Sequence, residues 1–180
     1  LELNSSERYI DLLERRTDVA IRIGPLADST LHARPLGSSR IRVMASPAYL
    51  DRHGVPARVM QLRQHVLLGF SEPETLNRWP LVGEGGQPLQ ITPTVAASSG
   101  ETLRALVLQG AGIACLSDFM TWRDRRDGRL VELFADTALD MRQPINAVYY
   151  RNSALSARIT SFLDHLQAHA GNGDFCAAAD

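Results

Sequence analysis

Two short serine-containing stretches hold the residues best suited to chemistry in this chain. Ser98-Ser99-Gly100-Glu101 follows Pro93-Thr-Val-Ala-Ala97, and Ser5-Ser6-Glu7 follows Leu1-Glu-Leu3. Each stretch reads as a strand, a serine pair and then a helix. At an offset of 94, Glu7 falls on Glu101, Tyr9 on Leu103, Leu12 on Leu106, Leu13 on Val107, Val19 on Ile113 and Ala20 on Ala114; the serine pairs match at 93. A helix that starts just past a strand's carboxyl end presents unpaired N–H groups and the positive end of its dipole to an anion. The serine hydroxyls can donate to the same carboxylate. Two such starts in two similar lobes predict a cleft that holds a small acidic ligand from both sides. A plainer reading competes with this one, in which Ser98 to Glu101 forms a capping box and nothing more.

Other chemistries fit less well. Ala96-Ala-Ser98-Ser-Gly100 has the strand-to-helix setting of a nucleophile elbow, with Ala in place of the first Gly. A hydrolase also needs an acid and a loop histidine, whereas His165 and His169 both fall inside the last predicted helix. Gln109-Gly110-Ala-Gly112 contains Gly-x-Gly, but it follows a helix and precedes a strand, the reverse of the order that cradles a phosphate. Gly110 reads instead as a helix C-cap. His165 and His169 lack a third ligand and read as a solvated helix end. His32, His53 and His65 are scattered without visible partners, and Trp122-Arg-Asp-Arg-Arg126 reads as an exposed helix face. No carboxylates show paired acid/base or metal-ligand spacing. No catalytic residue, metal or cofactor is expected.

The elements that must position the serines follow from periodicity and punctuation. Asn4/Ser5 and Glu7 start a first helix that buries Tyr9, Ile10, Leu12 and Leu13. Thr17-Asp18 ends it, and Val19 to Ile23 is a mostly apolar strand of the parallel-sheet type, broken by Gly24-Pro25. Leu31 to Leu36 and Arg40 to Ala45 read as two strands, the second with the alternation of an edge or crossing strand. Ser46-Pro47 starts a short helix. Val66 to Phe70 is a strand, and Gly83 to Gly86 a turn between short strands. After the second serine unit, Ser117-Asp118 caps a helix through Arg126, Leu130 to Leu133 is a short strand, Pro144 to Tyr150 another, and an amphipathic helix runs from Ser153 to His169. Strands alternating with helices indicate an α/β protein with mainly parallel sheets. No linker separates the two copies, so continuous strands are expected to join the lobes as a hinge.

At 180 residues the chain can bury roughly 70% of its unfolded surface. Its 44% apolar and 22% charged content is that of a soluble globular protein, and a net charge of −1 gives no basic footprint for gripping DNA. No apolar run is long enough to span a bilayer, so no membrane partner is expected. The two cysteines do not make a disulfide framework: Cys115 reads as a buried thiol and Cys176 as a tail thiol, in keeping with a reducing, cytoplasmic setting. Residues 171–180 are expected to be a disordered tail. The chain opens on Leu1 inside an apparent strand, which predicts a fragment of a longer protein.

Several stretches together resemble the effector-binding domain of LysR-type transcriptional regulators. They are Asp18-Val-Ala-Ile-Arg-Ile-Gly24, Arg34-Pro-Leu-Gly37, Val43-Met-Ala-Ser-Pro-Ala-Tyr-Leu50, Leu106-Val-Leu-Gln-Gly-Ala-Gly-Ile-Ala-Cys-Leu-Ser117, Gly128-Arg-Leu-Val131 and Ala147-Val-Tyr-Tyr-Arg151, in order from residue 1 to about 169. The resemblance implies two Rossmann-like α/β lobes joined by crossing strands, like the type 2 periplasmic binding proteins. Lobe I is expected over 1–45 plus 145–170, incomplete at its N-terminus, and lobe II over 46–144. It implies a small-molecule effector in the cleft, contacted by Ser5 and Ser6, by Gly24 and Pro25, and from lobe II by Phe70, Ser71, Ser98 and Ser99. It further implies a homodimer or homotetramer, with the helix of residues 5 to 16 a candidate surface. DNA would be bound only through an N-terminal winged helix-turn-helix that these residues lack. A periplasmic solute-binding protein of the same fold is the alternative.

Overall fold

The computed structural model describes residues 2–4, 12, 17–26, 31–150 and 157–169. The chain divides into two compact units, Leu1–Ser39 with Arg142–Asp180, and Arg40–Met141. The expected first helix, the start of the last helix and the tail lie outside the described residues, apart from a buried Leu12 whose carbonyl accepts from Thr17 N–H at 2.9 Å.

In the first unit, β1 (Ala20–Ile23) pairs with β9 (Arg142–Tyr150), and β9 in turn adjoins β2 (Leu31–Ala45). The β1–β9 pairing is antiparallel, with Ile23 opposite Ile145. This corrects the expectation of a parallel strand there: apolar content alone does not reveal the direction of a neighbour, and Ile21 and Ile23 stay half exposed. β9 carries the core, since Ile145, Ala147, Val148 and Tyr149 are buried. α4 (Ala157–His169) buries Leu163 and is tied to β2 by Arg34, which donates to Asp164 and to Gln167, each at 2.6 Å. His32 stacks on Tyr149 with ring centroids 5.7 Å apart.

The two strands expected over 31–36 and 40–45 form one continuous strand, β2, which begins in the first unit and ends in the second. In the second unit the order is β2, β7 (Ile113–Ser117), β3 (Leu67–Phe70), β6 (Val95–Ala97), with β8 (Val131–Glu132) on β2. β7 runs antiparallel to β2 and parallel to β3, and β3 is parallel to β6. Alternation sends the two faces of this sheet into separate cores. Ile41, Val43, Ile113 and Cys115 face one, with Trp79, Leu81 and Ile91 around the β4–β5 hairpin (Arg78–Val82, Pro88–Gln90) and Tyr49 of α1 (Pro47–His53). Met44, Leu68, Ala114 and Leu116 face the other, covered by Leu103 and Val107 of α2 (Gly100–Leu108). Burying each of these two α2 side chains stabilises the unit by about 2 kcal/mol. The Cys115 thiol is fully desolvated, which pushes its pKa up and keeps it inert.

Local signals act as the sequence implies at several termini. Ser46 caps α1, its Oγ accepting from Tyr49 N–H at 3.4 Å, with Pro47 in the first turn. Gly110 closes α2 at φ +73°, and Ala111 N–H reaches back to Leu106 O at 3.0 Å. At Gly112 a Cβ would lie 2.5 Å from Val66 O, so only glycine lets β7 start against β3.

Candidate functional site

The parallel pair β3 and β6 positions four of the predicted residues. Phe70 is in register with Ala97, and Ser71 N–H donates to Ala97 O at 3.0 Å. The carboxyl ends of both strands therefore emerge side by side, Phe70-Ser71 from one and Ser98-Ser99 from the other. α2 begins at Gly100 directly beyond β6. Ser71 and Ser98 are exposed, and Phe70 and Ser99 half-buried, so hydroxyls and first-turn N–H groups share one accessible end of the sheet.

The helix start departs from the capping box read in the sequence. Ser99, not Ser98, is the N-cap residue, and its side chain makes no capping bond. Two adjacent serines leave the box ambiguous by one position. Glu101 turns to Arg104 at 3.2 Å instead of bonding back to the cap.

A residue outside the predicted set fixes this end of β3. The buried Asn77 side chain accepts from Phe70 N–H and donates to Phe70 O, both at 2.8 Å, so one amide group does the work of a neighbouring strand. It fits only because residue 69 is glycine: a Cβ there would lie 2.5 Å from Asn77 Oδ1 and 2.9 Å from Pro93 Cβ. Glycine inside an apolar strand signals such a close approach. Nothing around Asn77 in the sequence marks its role.

Gly24 and Pro25 belong to the first unit. Gly24 follows β1 at φ +100° and donates to Pro144 O at 2.9 Å, so it closes the strand as the sequence predicts. Ser5 and Ser6 lie outside the described residues.

α3 (Asp118–Arg126) corrects the reading of Trp122 to Arg126 as a simple exposed face. Arg123 and Arg126 are exposed and flank Trp122, 5.1 and 5.2 Å from its ring centroid. Asp124, however, is fully buried and binds Arg104 at 2.6 Å and also Arg129. That bond to Asp124 is the main cause that raises the Arg104 pKa. Asp118 is likewise buried and binds Arg42 at 3.0 Å and also Arg125, while Arg42 reaches Glu132 at 2.7 Å. Burial works against the Arg42 charge, but Glu132 and Asp118 outweigh it and raise the pKa. Arg125 and Arg129 are near neighbours of their acids in the chain, but Arg104 lies 20 residues from Asp124 and Arg42 lies 90 from Glu132, which hides those partners from local pattern.

The histidines read as unpartnered also have partners. His53 stacks on Tyr49 at 4.3 Å, and His65 Nδ1 lies 3.2 Å from the Tyr49 hydroxyl, which accepts from Val66 N–H at 3.0 Å. These contacts brace the start of β3. His165 is exposed on α4, and among the described residues no three histidine, cysteine or acidic side chains group as a metal site. Among the described residues no helix is long and apolar enough to cross a membrane.

Comparison with known proteins places this geometry. The family model of the LysR substrate binding domain matches residues 1–171. The HTH-type transcriptional regulator CrgA of Neisseria meningitidis (serogroup C, strain 8013) is 49% identical over 172 residues, which cover 96% of this chain and 58% of that protein. The chain thus spans less than two thirds of the length of this relative. The solved CrgA regulatory domain superposes with a TM-score of 0.86 at 48% identity, over 92% of this chain and 81% of that one. The effector domain of AmpR from Pseudomonas aeruginosa shares the fold at 21% identity, with a TM-score of 0.77 over 94% of this chain and 79% of that one. With a mixed α/β architecture of the periplasmic-binding-protein type and a family match over nearly its whole length, the chain belongs to the LysR substrate-binding domain family, the regulatory domain of LysR-type transcriptional regulators.

Proposed function

We propose that this domain senses a small carboxylate bound between its two units and passes that signal to the DNA-binding part of a longer regulator. The observation that carries the reading is the convergence of Phe70-Ser71 and Ser98-Ser99 at the carboxyl ends of two parallel strands, beside the start of α2. Open α/β sheets bind ligands at such ends. The exposed Ser98 hydroxyl can donate to a carboxylate, and the dipole of α2 favours the same charge. Glu101 would oppose an anion there, but its carboxylate is turned to Arg104. Ser5, Ser6, Gly24 and Pro25 would supply the contacts from the first unit.

The ligand would act by binding one arrangement of the units better than another, and it can shift their equilibrium only by that difference in affinity. In a homodimer or homotetramer, the shift would change the spacing of the DNA-binding heads. The kinship with CrgA, itself an HTH-type transcriptional regulator, supports this role for the full-length protein.

The test is a thermal-shift screen of small carboxylates followed by Ser98→Ala and Ser5→Ala. A true effector at 100 times its dissociation constant adds about 2.7 kcal/mol to stability. Both variants should bind it more weakly while melting like the parent without ligand. Parental affinity in both would remove the cleft assignment.

A further inference from the structure

Tyr49 is buried in the core that lies around the β4–β5 hairpin, and two histidines meet it from different elements. Its hydroxyl accepts from Val66 N–H at 3.0 Å, which leaves the hydroxyl proton to be donated to His65 Nδ1 at 3.2 Å. That arrangement requires a neutral His65 imidazole with its own proton on Nε2. His53 stacks on the Tyr49 ring, and its Nδ1 lies 3.1 Å from Tyr49 O, so the His53 proton sits on Nδ1 and is donated to that carbonyl. The two histidines therefore answer acid differently. His53 takes a second proton on Nε2 and keeps its bond. His65 takes its second proton on Nδ1, which turns an acceptor into a donor. The Tyr49 oxygen then faces two donors, and its own proton is left without an acceptor in a buried place.

Val66 carries the effect into the sheet. Its N–H depends on Tyr49, its carbonyl accepts from Ile113 N–H at 2.9 Å, and the next residue, Leu67, opens β3. We propose that Tyr49, His53 and His65 form an acid-sensitive latch at the start of β3, which opens when His65 is protonated and turns to water. His65 is half-buried at the end of the short helical turn Val59–Gln64, so the charged ring has a path out. Water then competes for the Tyr49 hydroxyl and weakens its hold on Val66 N–H. Burial, and then the charge of His53, hold the His65 pKa below the usual 6.5. From the turn, Arg58 and Arg63 are exposed; from α1, Asp51 is exposed and Arg52 is turned to the carbonyls of Ala48 and Gly110. On the sheet side, Thr94, Gly112 and Ile113 carry no charge. The latch is therefore closed at neutral pH and opens as the pH falls through that lowered value. It is independent of the proposed effector contacts.

The test is an NMR titration of the His65 ring, from about pH 8 to about pH 5, with amide exchange measured at each step. It uses the chain and its His65→Gln, Tyr49→Phe and His53→Gln variants. The protection of Val66 N–H, corrected for the intrinsic exchange rate, should fall about fivefold with the midpoint of the His65 ring. Protection of Val107 in α2 should stay constant over the same range. His65→Gln cannot be charged, yet its amide oxygen can still accept from Tyr49, so Val66 protection should become flat with pH. Tyr49→Phe should lower Val66 protection at every pH and uncouple it from His65, which still titrates. His53→Gln removes the opposing charge and should raise both midpoints together. Val66 protection that ignores pH, or that falls equally in His65→Gln, overturns the latch. So does a Val66 midpoint that stays in place when His53→Gln moves that of His65. Equal losses at Val66 and Val107 would mean general acid unfolding and overturn it as well.

Discussion

β1 and β6 are short strands that each lead into a candidate contact, and the two units handle their ends in opposite ways. In the first unit β9 runs antiparallel to β1, so the carboxyl end of β1 meets an arriving strand and Gly24 N–H is taken up by Pro144 O. In the second unit β3 runs parallel to β6, and both strands deliver their carboxyl ends to the same place. The same unit buries Asp118 and Asp124 among arginines, whereas the Asp164 that holds Arg34 in the first unit stands exposed. The lesson is that a gathering of polar termini depends on strand direction, and that rigid placement of such a gathering draws on buried polar partners.

The sharpest way to break this contrast is Gly112→Ala. Its Cβ would meet Val66 O at 2.5 Å, and Val66 O also accepts from Ile113 N–H, so neither side can yield. We expect a loss of about 3 kcal/mol in urea unfolding. Amide hydrogen exchange would show whether the loss of protection stays within residues 40–141; a variant that unfolds like the parent would contradict the close strand approach. Asp124→Ala comes next. It removes the buried partner of Arg104 and Arg129, but Arg104 keeps Glu101 and both can still reach water, so the cost should be about 2 kcal/mol rather than that of a wholly buried pair.

Asn77→Ala leaves Phe70 N–H and C=O unsatisfied and should cost about 1.5 kcal/mol. It should also loosen the Ser71 backbone, read as faster exchange of that amide. His65 gives a smaller effect that depends on pH. Burial, and then the charge of His53, hold its pKa below the usual 6.5. The folded state therefore resists protonation that the unfolded state accepts. Its contribution to stability is present above about pH 6.5 and lost as the pH falls through the lower folded value. His65→Gln should flatten the melting temperature over that acid range; an unchanged slope would contradict the burial. The smallest effect is expected from Asp164→Ala in the first unit, under about 0.5 kcal/mol, because that pair is solvent-screened. A loss comparable to that of Asp124→Ala would erase the contrast between the units.

Much of the second unit was legible from sequence. The runs around Val66 to Phe70 and Ile113 to Ser117, the Gly110 helix stop and the Ser46-Pro47 start are encoded by neighbours in the chain, and each appears within a residue or so of its expected place. The joining of two short strands into β2 was not legible, because Gly37-Ser-Ser39 separates the two apolar runs in the sequence and only the tertiary context carries the strand through it. The Asp124, Asp118 and Asn77 contacts escaped for another reason. Arg104 with Asp124, Arg42 with Asp118, and Asn77 with Phe70 each join residues on different elements, and local periodicity carries no signal for such partners.

Sequence by itself determined that this is an α/β chain of the LysR substrate-binding family, and which residues stand at strand ends and helix starts. Those properties follow from side-chain type and spacing, which act over a turn of helix or a few residues of strand. Tertiary structure alone decided that β3 and β6 point the same way, and that one buried amide clamps Phe70. It also packed the end of Met120 against Gly100 at the start of α2. These depend on which distant segments meet, and that is decided by packing of the whole unit and not by any stretch of it.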